Sequence, residues 1–267
     1  MFTYAATREA PVAGDALGLV LFSHGFAGMR LQSTTITTHL ASHGFVVAAP
    51  DHPSRDLFNV LGASATGDRD APVAELLAAR ALVLDDPDLG PLAGENFTAI
   101  GHSAGGGTVL SLAGRGEPGL LGYISLAAGA GDAAMPNVPS LFIAGSLDRI
   151  AVPEAAETAH SSAPPPSTLW VIDGAGHNAF DDFCLVGGGT GIIGVAVASG
   201  LGPLLDAQPQ LRALGEDGCL PPALDVALTA PVINAAITAQ VLSWVDQPAP
   251  SLDAWTGDGV SVKVSTR

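Results

Sequence analysis

Apolar and polar positions are segregated into blocks along the chain. Six short runs are almost wholly apolar: GLVLFS (18–23), FVVAAP (45–50), FTAIG (97–101), LGYISLAAG (121–129), SLFIAG (140–145) and TLWVID (168–173). A strand covered on both faces has no solvent side to mark with polar residues, so these runs predict buried strands of a parallel sheet. The mixed stretches between them predict helices over 30–43, 73–85, 104–114 and 153–162. A last helix is expected over 231–246, with Pro231 in its first turn, where a missing N–H is harmless. Strand–helix alternation of this kind predicts the α/β class, with a doubly wound, mostly parallel sheet.

Two features interrupt the pattern. SHGF occurs at 23–26 and again at 42–45, a spacing too short for a structural repeat. The second copy ends a predicted helix, where Gly44 suits the left-handed cap. The other is the segment 184–205, CLVGGGTGIIGVAVASGLGPLL, which carries no charge. Its length would allow a membrane span, but its many glycines make a poor lipid-facing helix. A flap or cap over a site, covering 184–225, is the favoured reading; core packing comes next and a membrane span last. The chain reads as one domain over 1–267, with 248–267 as a C-terminal tail.

Composition narrows the function classes. With 48% hydrophobic and 13% charged residues in 267, the chain is globular. The net charge is −16 and Lys263 is its single lysine. No basic patch is available to neutralise phosphates, so no nucleic-acid partner is expected, and no signal for an oligomeric state stands out. The N-terminal MFTYAATREAP lacks a basic stretch followed by an apolar run, so no signal peptide is read in this chain. Cys184 and Cys219 are the only cysteines and bracket the uncharged segment with its acidic tail. They are expected to form a disulfide at the base of the flap. That bond would imply an oxidising compartment, secreted or periplasmic, with a leader absent from this chain. The alternative is two buried thiols in a cytoplasmic protein.

The candidate chemistry lies in FTAIGHSAGGGTVLSLAG, which reads as strand, sharp turn and helix. Gly101-His102-Ser103-Ala104-Gly105 fits G-x-S-x-G, a turn that exposes a serine at a strand tip and at a helix N-terminus. Gly101 and Gly105 would let strand and helix pass closely, and Gly106 and Gly107 would let the helix pack on the sheet. A serine needs a base, and the base an orienting acid. His160 and His177 lie downstream. His160 falls at an Ala-rich helix end and reads as a surface or capping residue. His177 lies in the Gly-flanked loop VIDGAGHNAF after the last apolar run and is the expected base. Among Glu117, Asp132, Asp148, Glu154, Glu157 and Asp173, Asp148 directly follows the strand SLFIAG and is the expected acid. Asp132, one strand earlier, is the second choice, and Asp173 sits too near His177. Two backbone N–H donors are needed for an oxyanion. Ala104 supplies one, and Phe26, in LFSHGFAG after the first strand, the other. His24 is expected to hold that loop, and His102 to be structural. Neither the histidines nor the cysteines have the spacing of a metal site. No dinucleotide or P-loop fingerprint occurs, so no cofactor is expected.

These residues together resemble the α/β-hydrolase superfamily. More narrowly they resemble dienelactone-hydrolase-like esterases, bacterial relatives of platelet-activating-factor acetylhydrolase, and polyester-degrading cutinases. HGFAG with LASHGFVVAAPDHP (40–53) is similar to their oxyanion loop and next strand. SLFIAGSLDRIAVP and GAGHNAFDDFC are similar to their acid and histidine segments. The resemblance implies Ser103, Asp148 and His177 as triad, with the Phe26 and Ala104 amides as oxyanion donors. It also implies a cofactor-free serine carboxylesterase acting on neutral, apolar esters. The alternatives are a cutin, polyester or lipid hydrolase working at a surface, and a non-catalytic binding protein on the same fold. Polyester-degrading cutinases usually carry Met after the serine and Trp after the sixth strand. Here Ala104 and LAAGAG (126–131) occupy those places, and the segment 184–205 is closer to the acetylhydrolase-like relatives.

Overall fold

Along each apolar run, successive side chains point to opposite faces, and both faces are covered. Leu19 and Leu21 join one buried cluster, while Val20 and Phe22 join the other. A computed structural model describes residues 10, 12, 14, 17–131, 133–255 and 259–267. The strands are β1 (Leu19–Ser23), β2 (Val46–Ala48), β3 (Phe97–His102), β4 (Leu120–Leu126), β5 (Ser140–Gly145), β6 (Ser167–Ile172) and β7 (Val262–Thr266). They form one seven-stranded sheet in the order β2-β1-β3-β4-β5-β6-β7. All pairs are parallel except β6 with β7. This is the α/β-hydrolase type of doubly wound sheet.

Helices α1 (Thr34–Ser42), α2 (Leu57–Leu61), α3 (Ala71–Asp85), α4 (Gly90–Ala93), α5 (Ala104–Gly114) and α6 (Pro153–Ser162) follow in chain order. After them come α7 (Val186–Gly189), α8 (Gly191–Ala196), α9 (Gly202–Ala207), α10 (Pro209–Glu216) and α11 (Val226–Trp244). Ile36 and Leu40 of α1 pack with Val232, Ile233, Ile237 and Val241 of α11 on one face of the sheet. On the other face, α3, α5 and α6 bury Leu76, Leu112 and Ala159 against Leu21, Tyr123 and Phe142. The chain reverses its winding between β1 and β3, so the crevice at their C-terminal ends is where such sheets bind ligands.

Three expectations need correction. The last helix starts at Val226, not 231, because the Asp225 side chain caps it by accepting from the Ala227 N–H. Pro231 therefore lies inside the helix, where it cannot donate to the Ala227 carbonyl. The segment 248–267 does not trail away: residues 262–266 form β7, and the Leu252 carbonyl accepts from Trp170 Nε1 at 2.9 Å. His160 is not a surface residue. It is 3% exposed and joins α6 to β6 through Ser167 Oγ, at 2.9 Å. Among the described residues one helix, Val226–Trp244, is long and apolar enough to cross a membrane. In this structure it is a core helix packed on the sheet.

Candidate active site

The C-terminal tips of β1, β3, β5 and β6 carry the groups singled out in the sequence. At the end of β3 the backbone turns at Ser103 with φ 56° and ψ −121°, a conformation that costs an L-residue on the order of 1–3 kcal/mol. Strand and helix then nearly touch. A Cβ on Gly101 would stand 2.0 Å from the Gly105 carbonyl oxygen, and one on Gly105 would stand 2.0 Å from that of Ser23. Glycine at both places is therefore a steric requirement of the turn. A Cβ on Gly106 would stand 2.5 Å from that of Ala128, a lesser conflict with a side chain, but Gly107 has open space around its Cα, so its expected packing role is absent.

The structure brings Ser103, His177 and Asp148 into one hydrogen-bonded chain. His177 Nε2 lies 3.0 Å from Ser103 Oγ, and His177 Nδ1 lies 2.9 Å from Asp148 Oδ2. Asp148 Oδ1 accepts from the Ile150 and Ala151 N–H groups at 2.8 and 2.7 Å. A carboxylate fixed on both oxygens accepts from Nδ1–H and so leaves Nε2 free to accept from the serine. Asp148 and His177 are buried, while Ser103 opens onto a cleft of about 900 Å³. Asp132, the second choice for the acid, lies outside the described residues.

The loop after β1 folds against this serine. Gly25 sits where a Cβ would be 3.2 Å from Ser103 Cβ, so the loop approaches Ser103 at backbone distance. Phe26 and Ala104 line the same cleft as Ser103. Among the described residues neither of their N–H groups meets an acceptor. The loop is braced by buried side chains. His24 Nε2 accepts from the His52 N–H at 2.9 Å, which assigns the proton to Nδ1, 2.8 Å from the Gly25 carbonyl. Burial holds the His24 pKa down to about 4. Its expected role as loop support stands.

Several supporting residues carried no signal in the sequence. Arg55 Nη2 donates to the His24 carbonyl and to Ser23 Oγ, both at 2.8 Å. Its Nη1 donates to Thr108 Oγ1 at 2.8 Å and to the Ala104 carbonyl at 3.3 Å. One guanidinium thus joins the loop after β1 to the first turn of α5. Gln32 Oε1 accepts from the Gly25 N–H at 2.9 Å, and its Nε2 donates to His102 Nδ1 at 3.1 Å and to Asp181 Oδ2 at 2.8 Å. His102 Nε2 in turn donates to the His177 carbonyl at 3.1 Å. His102 does face away from Ser103's cleft, but it also supports the His177 loop. Asp181 is fully buried, and that burial raises its pKa to about 8. The His177 N–H donates to Asp217 Oδ1 at 2.8 Å, and Asp217 also accepts from Arg149 Nε.

Asp217 belongs to the segment read as a flap. That segment folds as α7 to α10, with a single π-helical turn at Val197–Leu201. Cys184 and Cys219 are bonded, closing a sequence separation of 35 residues beside the His177 loop. Among the described residues no three His, Cys, Asp or Glu side chains converge as a metal site.

Residues 3–68 match the family described as platelet-activating factor acetylhydrolase, isoform II. They span β1, the Phe26 loop, α1, β2 and α2. No curated protein sequence matches the chain. The family match supports an esterase- or lipase-type hydrolase.

Proposed function

We propose that the protein is a serine carboxylic-ester hydrolase acting through an acyl-enzyme on neutral, apolar esters. The observation that carries this reading is the chain Ser103 Oγ–His177 Nε2–Asp148 Oδ2, at 3.0 and 2.9 Å, beside two N–H groups that meet no acceptor among the described residues. Ser103 Oγ forms a bond to the ester carbonyl carbon while His177 Nε2 takes its proton. The carbonyl oxygen becomes an oxyanion held by the Phe26 and Ala104 N–H groups. Asp148 stays ionised and stabilises the imidazolium. Collapse breaks the bond to the alcohol oxygen, which leaves with the proton from His177. Water then repeats the sequence on the acyl-enzyme and releases the acid. No step calls for a cofactor. Ser103→Ala is expected to keep the fold and to lower kcat by about six orders of magnitude. Turnover near the wild-type level in a pure, folded Ser103→Ala sample would overturn the mechanism.

A second reading, hydrolysis of lipid or polyester at a surface, is favoured by the side chains around the cleft mouth. Phe26, Ile150 and Leu201 are exposed apolar residues that line the cleft or the space under the flap. Activity that rises sharply when a triglyceride or polyester passes from solution to particles would select it. A relation to cutinases that grip aromatic polymers is weakened by Ala104 and by the absence of an aromatic residue in 126–131. The bond between Cys184 and Cys219 supports work in an oxidising compartment, outside the cytoplasm.

A further inference from the structure

Beneath α8, α9 and α10 lies a second cavity, of about 190 Å³. Its walls are built from Leu57 and Leu61 of α2 and from flap residues such as Ile193, Val195, Leu205 and Leu214. No charged side chain lines it, and Ser199 is the one polar residue. It is distinct from the cleft that holds Ser103, and both open to solvent. The residue common to both is Phe26, whose amide is the proposed oxyanion donor. Its side chain is 45% exposed. An ester carbonyl held at that amide therefore sits at the threshold between the two spaces.

From this arrangement we infer that the chamber under the flap is the acyl subsite, built for a straight aliphatic chain of about six to eight carbons; the inference rests on Ser103 being the acylated nucleophile. The length follows from volume. An apolar cavity of about 150 Å³ holds the six carbons of benzene, and this one is somewhat larger. The choice of the acyl end follows from proton transfer. The leaving oxygen must remain within reach of His177 Nε2. Ile150 and Ala151, next to the acid that holds His177, line the open cleft and not the chamber. The alcohol thus stays in the open cleft, and the acyl chain runs past the Phe26 ring into the chamber. A chain buried there leaves water at about 0.8 kcal/mol per methylene, or roughly fourfold in kcat/KM for each one.

p-Nitrophenyl esters from C2 to C12 test the length. kcat/KM should climb roughly fourfold per methylene to C6–C8 and then stop climbing. Ala196 and Val195 line the chamber outside the catalytic groups. Ala196→Phe and Val195→Phe should each bring the C8-to-C2 ratio of kcat/KM most of the way back to one. Alkyl acetates of rising alcohol length should show no such climb. A flat acyl series, a climb that survives both substitutions, or a climb along the alcohol series would overturn the inference. Binding decides the point independently of turnover. Methyl octanoate titrated into Ser103→Ala should bind, and adding Ala196→Phe or Val195→Phe should weaken it by tenfold or more. Equal binding in all three proteins overturns the subsite while leaving the mechanism to its own test.

Discussion

At the scale of single residues, the groups legible in the sequence are those whose position is set by the backbone around them. Ser103 is betrayed by Gly101 and Gly105, since each would drive a Cβ to 2.0 Å from a carbonyl oxygen. His177 and Asp148 stand just beyond strands, where loop amides can fix them. Gln32, Arg55, Asp181 and Asp217 were invisible because their partners are remote in sequence. Gln32 and Asp181 are 149 residues apart, and no local pattern encodes such a pair. The acid can be tested directly. Asp148→Asn should lower kcat about 10⁴-fold, because an amide no longer fixes the Nδ1 proton of His177. Asp132→Asn should change it little. A large loss from Asp132→Asn with none from Asp148→Asn would move the acid to the preceding strand. The measurement is steady-state turnover of a short-chain ester by each variant.

Among the elements, the buried parallel strands and the helices α5 and α6 were the most legible, and α5 and α6 match their expected bounds to the residue. β7 was missed because it is a half-exposed edge strand of five residues after a polar tail, with no apolar run to announce it. α11 was placed late because Pro231 resembles a first-turn proline, while the Asp225 cap was overlooked. The flap helices α7 to α9 are too short and too glycine-rich for a helical period to develop. What holds that flap is covalent. Its disulfide closes 35 residues, which restricts the unfolded chain by about 4 kcal/mol in the entropic account. Thiol titration of the unfolded, unreduced protein should find no free thiol. Cys184→Ala with Cys219→Ala should lower the melting temperature. The same pair should also reduce ester turnover, because Asp217, two residues from Cys219, holds the His177 N–H. An unchanged melting temperature would separate the bond from stability.

For the whole molecule, the buried titratable groups set a pH window. Burial depresses His24 to about 4, His52 to about 2, and His102 well below its ordinary value of 6.5. Between 6.5 and those values the unfolded chain binds protons that the folded one refuses, so stability falls as pH falls. Asp181 has the opposite shift, from 3.8 up to about 8. From about 4 to 8 the folded state holds a proton that the unfolded state has released, so this contribution is lost as pH rises through 8. Together these groups place maximal stability near pH 6.5. Denaturant unfolding measured at intervals from pH 4 to 9 should show that maximum, and Asp181→Asn should flatten its alkaline side. A stability that rises steadily from pH 6.5 to 8.5 would contradict the account. The acidic net charge of −16 disfavours approach of anionic substrates at long range, while Arg55, Arg69 and Arg115 with Asp68 and Asp70 leave the lining of the Ser103 cleft mixed in charge. The central claim is that one serine in this molecule is activated for attack. Reaction with a fluorophosphonate, read by intact mass and peptide mapping, tests it most directly. The account predicts a single adduct on Ser103, formed far more slowly in His177→Ala. A folded protein that takes no adduct, or takes it on another serine, would contradict it.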